Sequence, residues 1–382
     1  MEPGPGRETC QWEEVRCTPC CPRHAVEPVG SGTRGSAVLK RSLHPPGRLR
    51  RVRPLLLPVL RALRPPVRRH SVYERLLGTE VELQVIAQTA AHAAQAETAG
   101  LDELDRLATV FSRFDEASEW RRWLSRPGER RVLSPDLREV LRQADHWRHW
   151  SGGAFHPGAD ALGALWRTAE SRGEPPPPAQ LAALVTALQV DPWTLHEDGS
   201  ATLHARYAMG LDALAKGVIV DRMAEVMAAQ TGVRSVLVNV GGDLRTIGGR
   251  GITVTVADPR TPRDDAPPVA RVRVRSGALA SSGRAHRGYV IRGVRYSHVL
   301  DPRTGQPVTA TPGVTVRAPN CATADALATI LSVLPAAQGL TLLGNQPGCS
   351  ALLVTAHGER LLSPGWPPDP RPLLSSPPRR HP

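Results

Sequence analysis

Residues 209–249 read MGLDALAKGVIVDRMAEVMAAQTGVRSVLVNVGGDLRTIGG, and the rest of the chain can be arranged around the helix and strand that they predict. From Asp212 onward, apolar residues recur at the spacing of one helical face. The polar residues expected on the opposite face are Asp221, Arg222, Glu225 and Gln230. Gly232 is expected to end the helix, because glycine readily adopts the left-handed conformation of a C-terminal cap. The apolar run 236–240 then predicts a buried strand that ends at the glycine turn 241–243.

A lysine followed by a glycine, Lys216-Gly217, stands near the start of this helix. A glycine there allows another part of the molecule to approach the helix backbone closely. A cation there can meet an anion, such as a phosphate held at a helix N-terminus. The pair is therefore consistent with a packing contact or with part of a phosphate-binding site.

The basic charge of the chain lies mostly at its two ends. The chain has 48 Lys and Arg against 36 Asp and Glu, a net charge of +12, to which residues 1–70 contribute +9 and residues 363–382 contribute +2. The same two segments hold 11 and 8 of the 37 prolines. Such segments bury too little apolar surface to offset their chain entropy, so we expect both to be disordered and 71–362 to form the folded domain. A nucleic-acid-binding module is disfavoured, because the basic charge belongs to the two ends and residues 71–362 carry a net charge of about +1.

Neither the cysteines nor the N-terminal segment fixes a compartment. Cys10, Cys17, Cys20 and Cys21 precede His24, but they lack the second half of a zinc-finger spacing. The arginine-rich run 48–53 precedes an apolar run that is short and contains two prolines, so no convincing signal peptide is present. No stretch reaches the roughly 20 apolar residues of a membrane span. The localisation, cytoplasmic or exported, stays open.

Periodicity over the middle of the chain predicts an α+β fold with helices first and antiparallel strands later. The predicted helices are 92–114, a short helix within 111–124, 134–150, 159–172, 179–188, 322–334 and 336–343. The predicted strands outside the central stretch are 81–85, 252–256, 269–274, 277–280, 289–291, 296–300 and 351–355. Cys321 and Cys349 are expected to be small buried residues.

Two further places carry candidate chemistry. Asp325 and Thr329 are four residues apart, so a helix puts both on one face, where hard oxygen ligands suit Mg²⁺. The alternative is an ordinary aspartate near a helix N-terminus with a threonine bonded to its own helix. His298 lies in a predicted strand just before the turn DPRTG, which places Asp301 and Arg303 at a rim. Such a histidine is either structural or a proton carrier.

Four motifs, in this order, resemble the ApbE family, the FAD:protein FMN transferases. They are LDALAKGVIVDR (211–222), VLVNVGGDLRTIG (236–248), YSHVLDPRTGQPV (296–308) and ADALATILSVL (324–334). Three weaker matches are LLGTEVEL (76–83), FSRFDEASE (111–119) and SGGAFHP (151–157). The resemblance covers roughly residues 73–362. It implies the ApbE-like, T-fold-related α+β architecture of helices and antiparallel sheet.

The resemblance also implies a reaction and a site. FMN would move from FAD to a Ser or Thr hydroxyl of an acceptor protein, forming a phosphoester link and releasing AMP, in a Mg²⁺-dependent step. The metal ligands would be Asp325, Thr329 and the backbone carbonyl of Ala213, and the catalytic residues would be His298 and Lys216. The residues that would line the FAD cleft are Gly78, Thr79, Asp212, Lys216, Ser281, Ser282, Gly283 and Asp301. The partners would be FAD and the acceptor, with peripheral association with membrane redox proteins, no nucleic acid and no integral membrane segment.

Three residues depart from the family pattern. Gly210 stands where many members have Asp or Asn, His156 replaces the Asp of GAFDP, and Leu77 stands where Met is common. Asp212 is a candidate substitute for the missing polar residue, although it points in another direction on the helix. An FAD carrier that binds the dinucleotide without transferring FMN is therefore the alternative function.

Overall fold

The centre of the molecule is an eight-stranded antiparallel sheet with the strand order β1-β2-β6-β7-β10-β13-β14-β15. The computed structural model describes residues 65–261, 266–283, 288–309 and 313–370, all of which belong to one compact unit. In the described residues the strands are β1 Val67–Leu76, β2 Thr79–Ala87, β3 Arg130–Val132, β4 Trp193–Leu195, β5 Ser200–Leu203, β6 Val233–Val240, β7 Asp243–Gly248, β8 Ile252–Val256, β9 Ala270–Val274, β10 Gly277–Gly283, β11 Gly288–Ile291, β12 Val294–Ser297, β13 Gly313–Ala318, β14 Ser350–Val354 and β15 Arg360–Leu362.

Helices cover one face of this sheet. The helices in the described part of the chain are α1 Ala90–Phe111, α2 Glu119–Leu124, α3 Pro135–Trp150, α4 Ala159–Arg172, α5 Pro178–Leu188, α6 Asp212–Ala228, α7 Cys321–Val333 and α8 Ala336–Leu343. Helix α6 packs against both α1 and α7, and all three helices contact strands of the large sheet. We call that side of the sheet the helix face.

Alternation along each strand separates the two faces of the sheet. Val236, Val238 and Val240 of β6 belong to the core beneath the helices, whereas Leu237 packs on the other side. The hairpin β8–β9 covers that second side, which we call the hairpin face. Because side chains alternate, the residues of β7 that flank Leu244, namely Asp243 and Arg245, lie on the helix face.

A smaller core lies outside the two sheet faces. It joins α4 and α5 to the β11–β12 hairpin through Leu162, Trp166, Leu181 and Ile291. Trp166 also donates its indole N–H to the Gly305 carbonyl at 3.0 Å. This satellite core therefore fixes the turn 301–305 against α4.

The α+β prediction is confirmed, and most predicted helices agree with the structure to within a few residues. The central helix ends at Ala228, however, and Gly232 takes its left-handed conformation, with φ +78°, at the entry to β6. The strand predicted at 296–300 is wrong at its end, because β12 stops at Ser297. Cys321 is buried as expected, whereas Cys349 is only half-buried, and both are free thiols.

The predicted domain limits of 71 and 362 cut into the described fold at both ends. Val67 to His70 pair with Ala87 to Gln84, and Arg69 forms an ion pair with the buried Glu97. Beyond β15, the Ser363 hydroxyl accepts a hydrogen bond from the Ala351 N–H at 2.8 Å. The disorder predicted for 1–70 and 363–382 otherwise concerns residues outside those described. No helix in the described ranges is both long and apolar enough to cross a membrane.

These contacts predict that a chain trimmed to 65–370 is more stable than one trimmed to 71–362. The shorter chain loses part of β1, the cation that faces Glu97, and Trp366, which packs on the hairpin-face core. Glu97 keeps the hydroxyls of Ser71 and Tyr73, and losing a hydrogen bond to such a charged group typically costs about 1.5–3 kcal/mol. Urea unfolding of both chains measures the difference, and equal midpoints would show that these end segments contribute nothing.

Candidate active site

The backbones of α6 and α7 come into direct contact at Gly217. A Cβ atom built on Gly217 would lie 2.7 Å from the Ala322 Cα and from the Cys321 carbonyl oxygen, so only a glycine fits there. The glycine of the Lys-Gly pair therefore serves a packing contact. That contact brings the first turn of α7 to the middle of α6.

Asp221 completes this contact by capping α7. Its carboxylate accepts hydrogen bonds from the N–H groups of Cys321 (2.7 Å) and Ala322 (2.9 Å), while Asn320 accepts from the Thr323 N–H at 2.8 Å. The helix N-terminal donors, which have no partner within the helix, are thus satisfied. The placement of Asp221 on the polar face of α6 is wrong, because its side chain is buried. Burial raises the pKa of Asp221 to about 6, although its backbone hydrogen bonds favour the ionised form.

Lys216 forms an ion pair with Asp243, the first residue of β7. Asp243 is buried on the helix face, which raises its pKa, and the Lys216 ammonium and the Ser281 N–H oppose that rise. Burial lowers the pKa of Lys216, but the carboxylates of Asp243 and Asp325 outweigh it, so the net pKa is raised and the side chain is charged. The anion that pairs with Lys216 in this structure is therefore the carboxylate of Asp243 on the large sheet.

Asp325 is a buried carboxylate in need of a cation. It is 8% exposed, and its Oδ2 has no hydrogen-bond partner in the described part of the chain. Burial raises its pKa well above the usual range, and the nearby Asp243 carboxylate raises it further, whereas Lys216 and the Gly217 N–H lower it. Two carboxylates facing one ammonium leave a negative charge uncompensated.

The donors around Asp325 fit a hard divalent cation. Thr329 is one turn further along α7, and its hydroxyl makes no bond to the helix backbone in the described residues, unlike that of Ser332. Ala213 is half-buried in the first turn of α6. Carboxylate, hydroxyl and carbonyl oxygens suit Mg²⁺. Outside the gaps at 262–265, 284–287 and 310–312, residues 65–370 contain no group of three or more His, Cys, Asp or Glu side chains that could hold a metal.

Two predicted cleft segments are placed beside this cluster by the sheet. Pairing of β2 with β6 puts the turn at Gly78 and Thr79 next to Gly241, which directly precedes the Gly242-Asp243 step. On β10, the backbone N–H of Ser281 faces the Asp243 carboxylate. The Ser281 hydroxyl lies on the opposite face, 2.9 Å from the Thr315 hydroxyl. By alternation Ser282 lies on the helix face, and Gly283 ends the strand.

His298 and Asp301 lie in a loop that connects the main core to the satellite core. His298 is half-buried and follows the last residue of β12, so its prediction as a strand residue is wrong. Asp301 accepts two hydrogen bonds from the Arg303 guanidinium, at 2.9 and 2.8 Å, and one from the Arg303 backbone N–H at 2.9 Å. Its backbone carbonyl accepts from Gly305, which closes the turn that the sequence predicted.

Asp212 belongs to a network that sequence reasoning missed. Arg113, which follows α1, contacts Asp212 with one Nη atom and Asp160 of α4 with the other. Asp212 is 64% exposed, and its carboxylate also acts electrostatically on Asp325. The network thus connects α1, α4 and the first turn of α6. Nothing in the local sequence links three residues so far apart in the chain.

His156, the departure in SGGAFHP, has a structural role here. Its Nδ1 accepts a hydrogen bond from the Gly158 N–H at 2.8 Å, and burial lowers its pKa to about 4. It lies in the wall of a cavity of about 470 Å³ that also includes Arg148, Arg303 and the glycines 152 and 153. His156 is therefore neutral and orders the turn that leads into α4.

This chain resembles known proteins in both sequence and fold. The model of the ApbE family matches residues 77–353, which is more than half of the chain. An FAD:protein FMN transferase of Treponema pallidum is 29% identical over 314 residues, covering 75% of this chain and 85% of that protein. A relative of the same name from Rhodobacter capsulatus is 29% identical over 63% of this chain, which spans about half (49%) of that protein.

Solved structures agree with the family match. The ApbE protein of Thermotoga maritima superposes with a TM-score of 0.68 at 25% identity, covering 78% of this chain and 97% of that one. The apo flavinyl transferase ApbE of Pseudomonas stutzeri gives a TM-score of 0.66 at 22% identity, covering 79% and 96%. The fold is therefore the ApbE fold, as the motifs predicted.

The close contact at Gly217 makes a stability prediction. Gly217→Ala should lower the free energy of unfolding by about 1–3 kcal/mol, because the added methyl group meets backbone atoms of α7 that cannot rotate away. Gly163→Ala in α4 is the matched control, since its methyl group would meet the guanidinium of Arg167 at 3.3 Å and the Tyr289 hydroxyl at 3.4 Å. The free energy of unfolding of the control should be unchanged or should rise by up to about 1 kcal/mol, because alanine has a higher helix propensity than glycine. Chemical unfolding measures both, and equal effects would contradict the packing role.

Proposed function

This chain belongs to the ApbE family, and we propose that it is an FAD:protein FMN transferase acting on a Ser or Thr hydroxyl of an acceptor protein. The observation that carries the proposal is the buried cluster of Lys216, Asp243 and Asp325. The cluster lies where three of the family motifs meet. The Treponema pallidum relative, which aligns with 75% of this chain, is named for the same activity.

The proposed reaction exchanges one phosphate bond for another. The acceptor hydroxyl oxygen bonds to the phosphorus of the FMN half, the bond from that phosphorus to the bridging oxygen breaks, and AMP leaves with the bridging oxygen. The proton of the hydroxyl passes to a base. Such displacements depend mainly on positioning and on charge stabilisation at the phosphate oxygens.

We assign a magnesium site to Asp325, Thr329 and the Ala213 carbonyl. The unpartnered Oδ2 of Asp325 and its raised pKa support this, since both indicate a carboxylate buried without enough positive charge. When bound, the ion supplies charge stabilisation to the pyrophosphate oxygens. All three groups are hard oxygen donors, as Mg²⁺ requires.

The remaining roles fall to polar groups around this cluster. Lys216 stays charged through Asp243 and offers a second positive charge to the pyrophosphate. His298 is the proposed base for the acceptor hydroxyl. The residues proposed to line the FAD cleft are Gly78, Thr79, Asp212, Ser281, Ser282, Gly283 and Asp301. Peripheral association with membrane redox proteins is part of the same proposal.

An FAD carrier without transfer is the second candidate, and the bare backbone of Gly210 favours it. A storage protein, however, has no need for a carboxylate buried at such cost beside a second carboxylate. One experiment separates the two candidates. The protein is incubated with FAD, Mg²⁺ and a flavin-accepting protein, and the acceptor is examined by mass spectrometry. Covalent FMN on a Ser or Thr supports the transferase, and bound FAD without modification supports the carrier.

Asp325→Asn tests the metal site without relying on activity alone. Added Mg²⁺ should raise the melting temperature of the wild-type protein, because an ion that binds only the folded state stabilises it. The Asn variant should show no such rise and should transfer no FMN. Without metal it should be at least as stable as the wild-type protein, because a buried uncompensated charge is gone. Asp198→Asn, at an exposed ion pair with Arg130, is the control and should respond normally. An unchanged Mg²⁺ response in Asp325→Asn would remove this residue from the site.

His298→Asn separates catalysis from binding. If His298 handles the hydroxyl proton as phosphorus is attacked, its loss affects the transition state more than bound FAD. Transfer should slow by roughly 10²–10⁴-fold, with FAD affinity nearly unchanged. Single-turnover rates and FAD titration measure the two quantities. If His298→Asn instead lowered both the melting temperature and the affinity for FAD, His298 would have a structural role.

A further inference from the structure

A second cavity, of about 360 Å³, opens beside the residues that lead into α6. Its aromatic and apolar wall includes Trp120, Leu203, Tyr207 and Met209, and the charged side chains at its edge are Arg113, Arg121, Arg206 and Asp160. Asp160 is the one carboxylate among these lining residues. The cavity adjoins the candidate site, because Met209 is only three residues before the first turn of α6.

Asp160 is held in a fixed position over the backbone of Gly210. Its Oδ2 accepts a hydrogen bond from Arg113 at 2.6 Å, and the side chain is 20% exposed. A Cβ atom built on Gly210 would lie 3.5 Å from the Asp160 Cγ and 3.6 Å from its Oδ2. The carboxylate therefore occupies the space in front of a residue that has no side chain. Within the described residues its Oδ1 accepts no hydrogen bond, which leaves that oxygen open to a donor in the cavity.

Unpartnered donors in the wall point to a ligand. Trp120 is fully buried and lines the cavity, yet its indole N–H has no hydrogen-bond partner in the described part of the chain. The Tyr207 hydroxyl and the Arg121 Nε, in the same wall, are also buried without partners there. Buried polar groups are normally paired, so donors left without partners among the described residues favour a polar ligand beside this wall. The cavity suits a flat ring with both acceptor and donor atoms.

We propose that Asp160 recognises the adenosine half of FAD in this cavity, accepting a hydrogen bond from the adenine amino group or a ribose hydroxyl. This assignment rests on the proposed function. In that reaction the FMN half ends on an outside protein, so a cavity beside the candidate site suits the half that leaves as AMP. Arg113 connects the two regions, because it also holds Asp212 in the first turn of α6.

Asp160→Asn tests the assignment with AMP, FAD and FMN as separate probes. Loss of a hydrogen bond to a charged acceptor should weaken AMP and FAD binding by roughly 10- to 100-fold, while FMN, which lacks adenosine, binds as before. Asp136→Asn is the matched control. Asp136 also lies in the first turn of a helix and accepts from an arginine, Arg106, at 2.6 Å. It should bind all three probes normally.

A compensating pair makes the test sharper. The conformation of Gly210 is open to a side chain, because its φ is not positive and a Cβ there has only ordinary contacts. Asp160→Ala should lose AMP affinity, and adding Gly210→Asp should restore most of it by supplying a carboxylate from the opposite side of the same space. Isothermal titration with AMP measures both, and melting temperatures confirm that each variant is folded.

The assignment would be overturned if Asp160→Asn weakened FMN binding as much as AMP binding, or if it left the affinity for AMP unchanged. It would also be overturned if adding Gly210→Asp to Asp160→Ala did not improve AMP binding. Wild-type protein without affinity for AMP would also overturn it. A wild-type protein that binds AMP through Asp160 but transfers no FMN would contradict the proposed function and leave this inference standing.

Discussion

The contact between the backbones of α6 and α7 at Gly217 is the constraint on which the candidate site depends. Without a side chain at that position, the first turn of α7 reaches α6, and Asp221 can cap it through the Cys321 and Ala322 N–H groups. The same approach brings Asp325, one turn into α7, to Lys216, one residue before the glycine. A methyl group at 217 would separate the two helices and the charges they carry.

Two buried carboxylates and one ammonium group lie together there, and this excess of negative charge indicates a binding site for a cation. Burial raises the pKa values of Asp243 and Asp325, and the Asp243 carboxylate raises that of Asp325 further. Lys216 compensates only one of them. If stability alone mattered, apolar side chains could take the place of such a cluster, because replacing buried ion pairs with apolar residues is often neutral or stabilising. The cluster is best understood as half of a binding site, completed by a cation and a pyrophosphate under the proposed function.

The large sheet gives each segment its position relative to this cluster. Because side chains alternate along β7, Leu244 fills the hairpin face while Asp243 and Arg245 face the helices. Pairing of β2 with β6 places the Gly78–Thr79 turn at the same end, and β10 contributes the Ser281 N–H. Residues more than 100 positions apart thus meet at one sheet end, held by backbone pairing and not by their own interactions.

The sequence by itself determined the elements and the family. Helical periodicity predicted 159–172 and 336–343 at their observed bounds, and the ordered motifs indicated the ApbE fold, because local spacing fixes which face of a helix is apolar. It missed β1, β7 and β13, whose residues carry no clean alternation or pair with strands far away in the chain. Only the tertiary structure decided that Asp221 is a buried cap, that Lys216 meets Asp243, and that Arg113 joins Asp160 to Asp212. Those contacts join residues 27 to 101 positions apart, and burial and charge at such distances depend on the packing of whole elements, which no local pattern encodes.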